Sequence, residues 1–195
     1  MKKLVLFAAA FAAAAALQAA QLDWSLTSKA VTTQSGANGT GITAYLMGFE
    51  SAAAADTYYA SLKDGSVTLA TATGAALDSA VTSTGKNWGS ISKTTTSPSL
   101  VEGAVGYYAL LFTEKVGEQD YFMLSGSASG QAYDPAGEIE TEGQAVKFDA
   151  GAFGAAGSRS GWTAVSGGGG DVPEPTSGLL LLVGGAMLAL RRKQK

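Results

Sequence analysis

The chain contains no cysteine and no histidine, and only 15% of its 195 residues are charged. Each absence removes some chemistry. Without cysteine there is no disulfide, no thiolate nucleophile, no thiolate metal site and no lipid attachment through an N-terminal cysteine. Without histidine there is no imidazole base near neutral pH, no imidazole ligand and no Ser-His-Asp triad. A phosphate loop and a dinucleotide fingerprint after a strand are missing as well. The nucleophile elbow Gly-x-Ser-x-Gly is approached twice and missed twice: residues 126–130 centre on Ala128, and residues 157–161 centre on Arg159. No catalytic residue is expected.

Charge is unevenly spread. The total is 13 basic against 16 acidic residues, net −3. Lys2 and Lys3 open the chain, and Arg191, Arg192, Lys193 and Lys195 close it, so the stretch between is more acidic than the total suggests. Such a surface repels DNA, RNA and anionic lipid, which excludes nucleic acid as a partner. Without disulfides, a domain of this length still buries enough apolar surface to hold a core.

Long uncharged apolar runs occur only at the two ends. At the start, Lys2-Lys3, the run Leu4 to Leu17 and the small pair Ala19-Ala20 make a secretory signal over residues 1–20. Cleavage after Ala20 places Gln18 three residues before the cut, and cleavage after Ala19 places Leu17 there. The run falls short of the roughly 20 residues that span a bilayer, which favours a cleaved signal over a retained anchor. The chain is therefore expected to be exported.

Residues 21–166 read as a β-rich extracytoplasmic domain. Leu22, Trp24 and Leu26 alternate with Asp23 and Ser25, the pattern of a half-buried strand. Asn38-Gly39 predicts a turn, and Ile42 to Phe49 a second strand. Ser51 to Lys63 is the one expected helix, capped by Ser51, with Ala55, Tyr58, Tyr59 and Leu62 as its buried stripe. Val67 to Ala72 is expected as a strand. Ala104 to Phe112 is apolar on both faces, as a central strand would be, and Glu114 to Gln119 turns it into Tyr121 to Leu124. Val146 and Phe148 alternate with Lys147 and Asp149 in a further strand, and Trp162 to Val165 forms the last. Residues 167–170 are four consecutive glycines, so 167–171 is a linker and the domain ends before it.

Two clusters invite a chemical reading. Glu138, Glu140 and Glu142 offer carboxylates for glycoside cleavage, although sequence does not place two of them across a sugar, and a solvated acidic loop is the better account. The same stretch from Asp134 to Glu142 could gather oxygens for calcium, but its spacing does not match an EF-hand. No metal and no cofactor is expected. Trp88, Trp162 and the Tyr107-Tyr108 pair are the rings that could stack on a sugar.

The C-terminal end has three parts in order: Val172-Pro173-Glu174-Pro175, an apolar run from Gly178 to Leu190, and the basic Arg191-Arg192-Lys193. A helix over the thirteen apolar residues spans about 20 Å against a hydrocarbon core of about 30 Å, a short transmembrane segment over about 177–190 that leans on snorkelling of its basic end at 191–195. The positive-inside rule keeps that end cytoplasmic and the domain on the far side.

In its residues and their order, the tail at 172–195 resembles the PEP-CTERM sorting domain. The resemblance implies that exosortase, a membrane transpeptidase of Gram-negative bacteria with exopolysaccharide systems, recognises Pro173, Glu174 and Pro175. It implies an inner-membrane stage anchored by Arg191, Arg192 and Lys193, then a cell-surface or extracellular-matrix location. It covers the tail alone.

The expected fold is thus mainly β, a sandwich-like domain with one short helix, plus an N-terminal signal helix and a C-terminal transmembrane helix. The expected role is that of an exported, non-enzymatic surface or matrix protein. The alternative is a module that binds carbohydrate such as exopolysaccharide.

Overall fold

The computed structural model describes residues 20–134 and 145–166. The signal before Ala20, most of the acidic stretch, the glycine linker and the 172–195 tail lie outside the described residues, and so do the expected terminal helices. Among the described residues no helix is long and apolar enough to cross a membrane.

The domain is mainly β, in two sheets, as the alternation predicts. In chain order the elements are β1 (Gln21–Leu26), β2 (Thr43–Phe49), α1 (Ala52–Lys63), α2 (Leu69–Gly74), β3 (Asp78–Val81) and β4 (Ile91–Thr96). They continue with β5 (Val105–Val116), β6 (Gln119–Leu124), β7 (Ala128–Gln131), β8 (Val146–Phe148) and β9 (Thr163–Ala164). The smaller sheet runs β4-β1-β8, and the larger runs β3-β2-β5-β6-β9 with β7 also beside β5.

β5 is the spine, and its composition explains why. Tyr108, Leu110 and Phe112 point into the core shared with the smaller sheet, among Trp24, Leu26 and Phe148. Ala109 and Leu111, at the intervening positions, point the other way, against Leu62 of α1 and Ala72 of α2. A strand apolar on both faces needs a cover on both, and here one cover is a sheet and the other a pair of helices. The far edge of β5 is lined by β6 and then β7, a path broken at Ser125. There the Ser125 Oγ accepts from Leu110 N at 2.9 Å, replacing a ladder carbonyl. Beyond β7, Tyr133 bridges to Gln21, linking this path to the smaller sheet.

α1 forms where its cap and alanines predict. Ser51 Oγ accepts from Ala54 N at 3.1 Å, and Ala55 and Leu62 are fully buried. Tyr58 and Tyr59 complete the stripe half-buried, their rings 5.5 Å from Phe49 and Phe122 respectively.

Three expectations are corrected. The strand expected over Val67 to Ala72 is instead the start of α2: Thr68 Oγ1 caps it by accepting from Thr71 N at 3.2 Å, and that local bond outcompetes a ladder. Asn38-Gly39 holds only a three-residue turn, Thr40 N donating to the Asn38 carbonyl at 2.8 Å, and the main reversal lies before it. Asn38 bridges back to Thr32, the chain reverses around Gly36 at φ 83°, and a Cβ on Gly39 would lie 2.5 Å from the Val31 carbonyl oxygen. Gly39 is there for close approach. The turn expected over Glu114 to Gln119 is tighter than its bounds, because β5 runs on to Val116 and Gly117 takes φ 62°.

Candidate functional site

The carboxylates Glu138, Glu140 and Glu142 and the sorting residues Pro173, Glu174, Pro175, Arg191, Arg192 and Lys193 lie outside the described residues. Among the described residues no group of three or more Asp, Glu, His or Cys could hold a metal ion.

The aromatic candidates fare differently from one another. Trp162 is buried at 8% exposure, and its Nε1 donates to the Thr32 carbonyl at 2.8 Å, so it is a plug with no face for a sugar. Tyr107 and Tyr108 are neighbours on β5 and therefore face opposite sides of the sheet, which rules out a shared platform. Trp88 is half-buried in the turn between β3 and β4.

The densest polar constellation links the two sheets. Trp24 Nε1, on β1, donates to Thr95 Oγ1 at 2.7 Å. The Thr95 hydroxyl in turn donates to Asp78 Oδ2, on β3 of the other sheet, at 2.6 Å. Lys93 Nζ bonds Asp78 Oδ1 and the Ser79 carbonyl, each at 2.6 Å. Partial burial pushes the Asp78 carboxyl up. The bonds from Lys93, Thr95 and Ser79 N, with the charge of Lys93, outweigh this and hold it below the usual carboxylate range. Every group has a partner, so the network is a tie between sheets rather than a poised acid or base. Sequence missed it because Asp78, Lys93 and Thr95 occupy inward positions where the strand pattern calls for apolar residues.

A second feature lies where β2 ends and the loop 97–104 crosses toward β5. A cavity of about 410 Å³ opens there, walled by Phe49, Leu77, Leu100, Val101, Ala104 and Tyr108. Gly48 and Gly106 also line it. A Cβ on Gly106 would stand 2.5 Å from the Tyr108 hydroxyl oxygen, so the glycine makes room for that hydroxyl. Tyr108 is 5% exposed, and burial pushes its phenol above the ordinary value. At neutral pH it is an O–H group.

Neither a protein-family model, nor a curated protein, nor a solved structure matches the chain.

Proposed function

We propose that this chain is an exported, non-enzymatic cell-surface or extracellular-matrix protein, sorted by exosortase through its C-terminal tail. The observation that carries this reading is the order of three parts at 172–195: Pro173-Glu174-Pro175, an uncharged apolar run, and Arg191-Arg192-Lys193. In it, the domain over 21–166 is the cargo, and Pro173, Glu174 and Pro175 are acted on by another enzyme. The tail serves as an address to be processed rather than a permanent anchor, because its apolar run is shorter than a relaxed span. The linker before it gives that enzyme room to reach it.

The same reading favours one signal cut. Ala20 is buried at 3% exposure, and its carbonyl accepts from Ser97 N at 3.2 Å. Cleavage after Ala19 keeps both contacts, whereas cleavage after Ala20 discards them.

The test is replacement of Pro173-Glu174-Pro175 by alanines in the native host. Export continues, C-terminal processing stops, and the precursor accumulates in the inner membrane with Ala20 as its first residue. Normal processing of that variant overturns the sorting assignment.

A further inference from the structure

The cavity walled by Leu77, Leu100 and Tyr108 borders the core between the sheets beside the 97–104 loop. Its volume of about 410 Å³ falls in the range of small-molecule sites. Three properties narrow what it could hold. The walls are mostly apolar, and Val101, exposed at 67%, carries that apolar surface outward. Among the described residues no basic side chain lines it, whereas the carboxylate of Glu50 does. The Tyr108 hydroxyl bonds no protein group among the described residues, yet none of their fully buried polar side-chain atoms lacks a partner. That hydroxyl therefore keeps one side open, against Gly106 in the cavity wall.

An anionic ligand would bury its charge with no cation to meet it, beside Glu50. A free sugar would bring several hydroxyls to walls whose polar side chains are only Glu50, Ser99 and Tyr108 among the described residues, leaving most of them unpaired. What fits is an apolar body with one hydrogen-bonding group. We propose that this cavity binds a small uncharged alkyl or aryl molecule, its body between Leu77 and Leu100 and its single polar group on the Tyr108 hydroxyl. The proposal is independent of the sorting tail.

The test uses the full chain in lipid nanodiscs, with ¹³C-labelled Leu and Val methyls and with free probe fixed by dialysis. Benzyl alcohol shifts the Leu77, Leu100 and Val101 methyls saturably, with a dissociation constant of about 1 mM, the scale reached by so few heavy atoms. Benzoate and glucose leave those methyls in place at tenfold higher concentration. Tyr108→Phe weakens benzyl alcohol about fivefold, the scale of one neutral hydrogen bond, and leaves toluene binding unchanged. A merely structural role for Tyr108 would move both probes together. Ala104→Trp, at the exposed rim, blocks both. Unsaturable shifts, equal response to benzoate or glucose, or a Tyr108→Phe variant that binds benzyl alcohol as before would each overturn the proposal.

Discussion

The two faces of β5 are covered in different ways. Toward the smaller sheet lie Trp24, Phe112, Phe148, Leu22, Leu26, Leu46 and Leu110, all essentially without exposure. Toward the helices the fully buried large side chains are Leu62, Leu111, Phe122 and Leu124, ringed by the half-buried Tyr45, Tyr58 and Tyr59. The sheet side is also tied by the Trp24–Thr95–Asp78–Lys93 network, whereas the helix side is held by an arginine at its margin. Burial of large apolar side chains dominates folding energetics. The sheet side therefore contributes the larger share of the apolar burial that holds the domain together, and the helical layer the smaller share.

The strongest test of that contrast is a matched pair of deletions. Phe112→Ala removes a fully buried ring that meets Phe153 edge-on at 6.1 Å, and costs about 4 kcal/mol in urea unfolding. Leu62→Ala removes the deepest side chain of α1 and costs about 2.5 kcal/mol, the lower half of the range for such truncations. Amide exchange separates the two. Leu62→Ala speeds exchange in α1 while the β5 amides keep most of their protection, whereas Phe112→Ala lowers both together. If Leu62→Ala exposes β5 as much as α1, the two layers fold as one unit and the contrast is broken.

Next in size is the polar tie between sheets. The folded-state pKa of Asp78 lies below the usual value, so its ionised form stabilises the fold. That stabilisation is fully present above the unfolded carboxylate value of about 3.9 and is lost as pH falls through the lower folded value. Asp78→Asn costs about 1.5 kcal/mol at pH 7, since the charge-assisted bond that Lys93 Nζ donates to Asp78 Oδ1 loses its ionic partner. It also flattens this part of the acid limb, so variant and parent converge as pH falls through the lowered folded-state value. Urea midpoints from pH 7 down to 2.5 read both effects. An unchanged gap between the two proteins across that range would show that Asp78 contributes nothing through its charge.

How much of this was legible follows the same division. β5, with apolar residues on both faces, and β1, with Leu22, Trp24 and Leu26 in alternation, carry their burial in the sequence itself. α1 announces itself by Ser51 and the alanine run behind it. The stretch from Ser66 to Ser99 does not. Its helix α2 rests on one threonine cap and a single fully buried side chain, Ala72. Its strands β3 and β4 turn Asp78, Lys93 and Thr95 inward, where polarity reads as loop until the partner strand is known. The cavity is less legible still. It depends on where register sets Gly48 and Gly106, and on Leu77 and Leu100 being brought together by two different loops. The reading of the tail rests on residue types in their order alone, and those residues lie outside the described ones.

The smallest expected effect concerns what pins the helical layer. Arg159 Nη1 donates to the Leu124 and Ser125 carbonyls at 2.9 and 3.1 Å, at the break between β6 and β7. Its guanidinium also lies 5.1 Å from the Tyr59 ring centre, which anchors α1. Its Nε meets Asp56 at 2.8 Å, but the Asp56 side chain is 68% exposed. Water and salt screen that last bond, while the carbonyls sit at a partly buried strand end with few other donors. The arginine should therefore matter more as a donor than as half of an ion pair. Arg159→Ala costs about 1 kcal/mol through the lost carbonyl bonds, and Asp56→Ala costs about 0.3 kcal/mol, an amount that vanishes in 0.5 M NaCl. Arg159→Lys recovers little, because one ammonium on a flexible stem does not reproduce the planar fork. Thermal unfolding of the three variants at low and high salt provides the readout. An Asp56→Ala loss equal to that of Arg159→Ala would mean that the helix side is held by charge, so that both layers of this domain depend on ion pairs.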